Sequence, residues 1–299
     1  MKLFDTHVHY WNPTSKKNPW LLTAPYSNGF LGDYGAICKP FLPHDLIKLI
    51  PELYQLCGTT HIEAGWDNND IMGESQWIQS LANEQTTPIC CISYADLTHP
   101  NLSDILAKNN EISVFKGIRQ RINWHKNSDL FDAENNYAYN ERFHQGLLTL
   151  DKHSLIFEIQ AYTDQLKHIL PTIAKCPHTT FIIEHCGLPI FEDKHSFNTW
   201  TQTLKKAAEL EHVYLKLSGL DMCARNSSYM VNKAQIIDTC ITHFGIDKTL
   251  FGSNFPVEHL YTTYAQVLED ILAHGLSENE KARVFHQNAQ EVYKFNLGS

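Results

Sequence analysis

Two histidines, His7 and His9, stand two apart in the stretch DTHVHYW. On a β-strand that spacing puts both imidazoles on one face. Two imidazoles side by side supply half of a metal site, or two hydrogen-bonding groups for a substrate oxygen. Further along, polar residues stand where short apolar segments end: Glu63, Arg119, Arg121, Gln160, His185, Ser218 and Asn254. Arg119 and Arg121 again share a face, and guanidinium groups suit a substrate carboxylate. Asn254 offers one acceptor oxygen and two donor hydrogens but no useful basicity. It holds a water or a carbonyl without deprotonating anything. If such a set runs a hydrolysis, its base lies elsewhere, with His185 the first candidate and Glu63 the second. Trp11, Trp20, Trp66, Trp124 and His125 lie on the segments that follow the apolar stretches. Their rings suit a sugar or a flat pyrone, or simply pack the loops.

These groups meet only if the chain brings its strand ends to one place. Eight short apolar segments read as strands: KLFDTHVH, THIEAG, PICCISYA, SVFKGIRQR, LIFEIQ, TFIIEHC, VYLKLSG and TLFGSN. Helical spacing separates them, as in Leu46, Ile50, Leu53 and Leu56; in Phe143, Leu147, Leu148 and Leu150; and in Ile236, Ile237, Cys240 and Phe244. Eight such alternations predict an α/β fold, a single (β/α)8 barrel domain over residues 1–299. No G-x-G-x-x-G follows the first strand, which argues against a dinucleotide-binding open sheet. Long connections follow strand 1 (10–41), strand 4 (122–140) and strand 7 (219–232), and would rise over the barrel's active face. Near the end, Ser277 and Glu280 have capping-box spacing and start a last helix.

Composition narrows the partners. The 299 residues are 43% hydrophobic and 19% charged, which supports a large core, and the net charge is -9. No Lys/Arg cluster stands out, so nucleic acid is not an expected partner. No apolar run approaches the ~20 residues of a bilayer span, and MKLFDTHVHYW has no signal-peptide core. A cytoplasmic location is the expectation, with no membrane partner. The eight cysteines form no C-x-x-C pair and are expected reduced and mostly buried. Cys186 follows His185 but has no evident activating partner.

DTHVHYW, NPWL (18–21), GWD (65–67), GES (73–75), KGIRQ, EHCGLP, LKLSGL, FGSNFPV and NAQEVY together resemble the amidohydrolase superfamily, specifically its lactonase branch of sugar-lactone hydrolases and pyrone dicarboxylate lactonases. The resemblance runs from about residue 3 to 294 and implies a (β/α)8 barrel, hydrolysis of a lactone and a metal requirement that is often weak or absent. It matches His7 and His9 to the strand-1 pair, Arg119 to the strand-4 arginine and His185 to the strand-6 histidine. Asn254 takes the place of the strand-8 aspartate. Gln160 stands where metal-binding members carry a histidine, and Lys116 is poorly spaced from Arg119 to bridge metals.

The expected reaction is attack of water on a small cyclic ester. His7, His9 and Arg119 would stabilise the oxyanion, His185 would take the proton, and Asn254 would hold the water. Trp11, Glu63, Arg121, Trp124, His125 and Gln160 would bind substrate. His7, His9 and His185 would be the ligands if a divalent metal such as Zn2+ is used; otherwise no cofactor is required. The partner is a small lactone or hydroxy acid, and a homo-oligomer is left open. Two other classes stay open: a metal-dependent decarboxylase or amide hydrolase on the same barrel, and a non-catalytic binding protein that lost its base at Asn254.

Overall fold

The computed structural model describes all residues except 128, 129, 131, 132, 134, 230 and 296–299. Eight strands form one sheet: β1 Lys2–Val8, β2 Gln55–Ile62, β3 Ile89–Tyr94, β4 Phe115–Arg121, β5 Ile156–Gln160, β6 Thr180–Ile183, β7 Val213–Leu217 and β8 Thr249–Phe251. They are hydrogen-bonded in chain order, and every neighbouring pair is parallel. Past the short β8 the chain returns to β1, where His9 N–H donates to Phe255 O at 2.8 Å and Asn254 N–H to His7 O at 2.8 Å. The expected (β/α)8 barrel is the observed fold.

Alternation along the strands sorts side chains between two layers. Ile89 and Cys91 pack outward against helices, whereas Cys90 and Ile92 join Phe4, Ile156, Ile182 and Leu250 in an inner cluster. Ala289, Val292 and Tyr293 of the C-terminal helix close that inner layer. Above it the inward positions turn polar. Glu158 and Lys216 form a fully buried ion pair, and Tyr293 Oη donates to Glu158 at 2.6 Å. An unpaired charge there would be costly, so the pair and its phenol partner belong together.

The helices over Glu141–Asp151 and Lys233–Phe244 bury Phe143, Leu147 and Leu150, and Ile236, Ile237, Cys240 and Phe244. The Ser277–Glu280 capping box is present. One expected helix is not. Leu46, Ile50, Leu53 and Leu56 have helical spacing, but the helix is only Pro43–Ile47. Leu53 is 81% exposed and Leu56 lies in β2. Pro51, lacking an N–H, stands where the helix would have to continue. β2 accordingly starts earlier than THIEAG suggested. All eight cysteines are free, and no helix among the described residues is long and apolar enough to cross a membrane.

Candidate active site

The strand ends converge on a cavity of about 480 Å3 at the C-terminal mouth of the barrel. Its wall includes His9, Glu63, Arg119, Arg121, Gln160, His185 and Asn254. The long connection after β1 adds Trp11, Trp20, Phe30 and Tyr34, and the one after β7 adds Met222. These two connections are tied together: Arg225 Nη1 donates to Gly29 O at 2.8 Å and Asn226 Nδ2 to Phe30 O at 2.9 Å. Trp124 and His125 are not in the wall; the Trp124 carbonyl instead accepts from Gln165 Nε2 at 2.5 Å. His7 is fully buried and also outside the wall, its ring 5.0 Å from that of His9 and 4.6 Å from that of His185.

Two glycines make this crowding feasible. A Cβ at Gly252 would come within 2.6 Å of His7 Cβ, and one at Gly219 within 2.5 Å of His185 Nδ1. His185 and Asn254 themselves hold left-handed backbone, with φ of 50° and 60°. Such strain in residues with a Cβ gathers at functional sites.

The hydrogen bonds assign the ring nitrogens. His9 Nδ1 lies 2.9 Å from the Ile62 carbonyl, so it carries the proton and Nε2 carries the lone pair. Trp11 stacks on the His9 ring at 6.2 Å and 18°. Burial and the Arg119 guanidinium push His9 down to about 3. His9 is thus a neutral acceptor at neutral pH, not the donor that an oxyanion requires. Burial, Arg119 and His9 likewise hold His185 well below the usual imidazole range. Its Nδ1 lies 3.0 Å from Ser218 Oγ, which also accepts the His185 backbone N–H at 3.2 Å. Ser218 can donate to Nδ1 or accept from it, so either tautomer of His185 is accommodated.

Arg119 is engaged through all three of its nitrogens. Its Nε donates to Glu63 Oε1 at 3.0 Å, Nη2 to Glu63 O at 2.8 Å, and Nη1 to Glu184 Oε2 at 3.1 Å and Gln160 Oε1 at 3.3 Å. Arg121 Nε meets the same Glu63 oxygen at 3.2 Å. Burial alone would raise Glu63, but the two guanidiniums outweigh it and hold the carboxyl at about 2. Glu63 is therefore a clamp between two arginines and a very weak base.

Two carboxylates that strand-end spacing did not single out complete the site. Glu184 is fully buried and lies 3.5 Å from His7 Nδ1. Burial pushes it above the usual carboxylate range. Ile182 points inward, so period-two alternation along β6 predicts Glu184 inward as well. Glu258 stands four residues after Asn254, its backbone N–H donating to Asn254 O at 2.9 Å and its Oε2 accepting from Asn254 Nδ2 at 3.0 Å. Burial raises it to about 7.

His7, Glu184 and His185 offer ligand atoms that all lie within 4.8 Å of one another. Both ring nitrogens of His7 and Oε1 of Glu184 are buried with no hydrogen-bond partner. Unpartnered lone pairs on neutral imidazoles beside a carboxylate fit a divalent cation. His9, expected in that set, is outside this group; Glu184, which burial pushes toward its neutral form, would give up its proton to a bound cation and supply the negative charge that three histidines alone would lack.

The sequence family described as Amidohydrolase matches residues 4–295. An uncharacterized protein, y4mH of Sinorhizobium fredii, is 29% identical over 296 residues, covering 98% of each chain. L-fucono-1,5-lactonase of Burkholderia multivorans is 23% identical over 304 residues, 97% of this chain and 95% of the relative. Crystal structures of a Burkholderia multivorans amidohydrolase, 21% identical and covering 99% of this chain and 100% of theirs, superpose with TM-scores of 0.79 with HEPES bound and 0.78 with zinc bound.

Proposed function

The chain belongs to the amidohydrolase family, and from that premise we propose that it hydrolyses a small cyclic ester, a sugar-acid or dicarboxylate lactone. The observation that carries this reading is the pairing at the cavity wall of His9, a neutral acceptor, with His185, whose Nδ1 is backed by Ser218. The likeness to L-fucono-1,5-lactonase over nearly the whole chain supports the substrate class.

Water attacks the carbonyl carbon and His9 Nε2 takes its proton; as the tetrahedral intermediate collapses, the ring C–O bond breaks and His9 returns that proton to the leaving ring oxygen, leaving a hydroxy acid. This departs from the first assignment of the base to His185, because the Ile62 bond leaves His9 Nε2 as an acceptor whereas Ser218 leaves the tautomer of His185 open. General-base help of this kind is worth about 10²–10⁴-fold, and the low basicity of His9 favours the lower end. His185, with Ser218 donating to its Nδ1, turns Nε2–H toward the developing oxyanion. Arg121, bridged to the committed Arg119 through Glu63 and partly exposed, brings positive charge to the wall and suits an anionic substrate or product. Trp11, Trp20 and Trp66 give flat faces for the ring, and their N–H groups are already committed to Ile37 and Lys39, Ala64, and Asp70. His7, Glu184 and His185 would hold a divalent cation, with Ser218 then accepting from His185 Nδ1. When bound, it would supply Lewis-acid polarisation of the carbonyl and a more acidic water.

The test is proton release by purified protein on five- and six-membered sugar lactones and a pyrone dicarboxylate, with and without chelator. Turnover of at least one lactone is expected. A panel with no turnover, alongside tight binding of a lactone or hydroxy acid, would replace this reading with a binding protein.

A further inference from the structure

We infer that Glu258 is a positioning residue that, through Asn254, makes the β8 corner of the cavity a hydrogen-bond acceptor. The step it serves rests on the hydrolase reading above; the pairing itself does not. Asn254 lines the cavity, and its backbone N–H is fixed on His7 O at 2.8 Å. Its Nδ2 donates to Glu258 Oε2 at 3.0 Å and lies 3.7 Å from Met222 Sδ. Among the described residues nothing donates to its Oδ1. Glu258 is 1% exposed and does not line this cavity. Its other oxygen accepts the backbone N–H groups of Asp221 at 2.8 Å and Met222 at 3.2 Å. The carboxylate is thus anchored from behind and cannot turn away.

At pH 8, where Glu258 is ionised, its carboxylate only accepts, so the amide must show it the NH2 end and turn Oδ1 elsewhere. This removes the usual ambiguity in amide orientation. An aspartate at 254 would set two carboxylates at the distance where the amide now donates, and like charges that close cannot both stay ionised. Asn254 is therefore the partner that Glu258 requires rather than the remnant of a lost base. The acceptor it presents suits an O–H donor: the attacking water, or a ring hydroxyl of a polyhydroxylated lactone.

Wild type, N254D, E258Q and N254D/E258Q are compared at pH 8 by thermal melting and by kinetics on a lactone that wild type turns over. In E258Q the new amide oxygen keeps both backbone bonds, and its NH2 forces Asn254 to flip and show a donor. Expected are a near wild-type Tm for E258Q with kcat lowered about ten- to a hundredfold and KM changed far less. N254D should lose Tm and activity, and N254D/E258Q should recover Tm and at least about tenfold in kcat over N254D. An E258Q kcat within about twofold of wild type, or a double variant no better than N254D, overturns the proposal. If wild type turns over no lactone, the hydrolase reading fails separately. The pairing then stands or falls on the Tm of the double variant: recovery over N254D supports it, and no recovery overturns it.

Discussion

The role proposed for His9 rests on one bond that residue spacing does not encode, Nδ1 to the Ile62 carbonyl at 2.9 Å. Replacement by asparagine keeps a donor at that place and removes the lone pair. We expect His9→Asn to lower kcat by about 10²–10³-fold with little change in KM, measured in the lactone assay. The same residue links stability to pH. Native His9 titrates at about 3, whereas an unfolded histidine titrates near ~6.5. Between those values the unfolded chain binds a proton that the native state refuses, so the His9 contribution to stability falls as pH drops below ~6.5. His9→Asn should therefore gain on wild type by about 2 kcal/mol between pH 7.5 and 5, read from urea midpoints at the two pH values. Glu63 behaves oppositely, since removing it leaves two arginines without their shared partner. Glu63→Gln should cost about 3–5 kcal/mol, again from denaturant midpoints. Residue types at strand ends pointed to His9, Glu63, Arg119, Arg121, Gln160, His185 and Asn254, all of which line the cavity. Their partners were less legible: which nitrogen of His9 is free, and that all three nitrogens of Arg119 are engaged, depend on contacts between residues far apart in sequence.

At the scale of elements, short apolar runs set between helical patterns were the most readable signal, because a parallel barrel strand is buried on both faces. All eight strands were visible for that reason. Period-two alternation carried one step past Ile182 reaches Glu184, whereas Glu258 follows Asn254 across non-helical backbone that no periodicity encodes. Helical spacing misled where an isolated proline overrode it, between Ile47 and Gln55. The consequence is measurable in stability. Leu147→Ala, in a helix that buries this side chain, should cost about 2–5 kcal/mol. Leu53→Ala, at an exposed position, should stay within about 0.5 kcal/mol of wild type. A comparable loss from both would place Leu53 in a buried helix after all. The connection 122–140 was expected over the site; its Trp124 and His125 lie off the cavity wall, and several of its other residues fall outside those described.

For the whole molecule, eight parallel strands carry charged and polar groups to one mouth while an apolar inner layer closes the other end. The buried His7–Glu184–His185 group predicts that Zn2+ stabilises the fold by mass action, about 2.7 kcal/mol at a hundredfold excess over Kd. The Tm of wild type should rise by several degrees and that of His7→Asn should not; a wild-type Tm indifferent to Zn2+ would remove the cation from the account. The central claim is attack of water on the carbonyl carbon of a lactone. It is tested most directly by turnover of a six-membered sugar lactone in 18O-labelled water, corrected for the uncatalysed reaction. The account predicts one label in the carboxyl group of the hydroxy acid formed. Label in the freed hydroxyl, or a rate no faster than buffer, would contradict it.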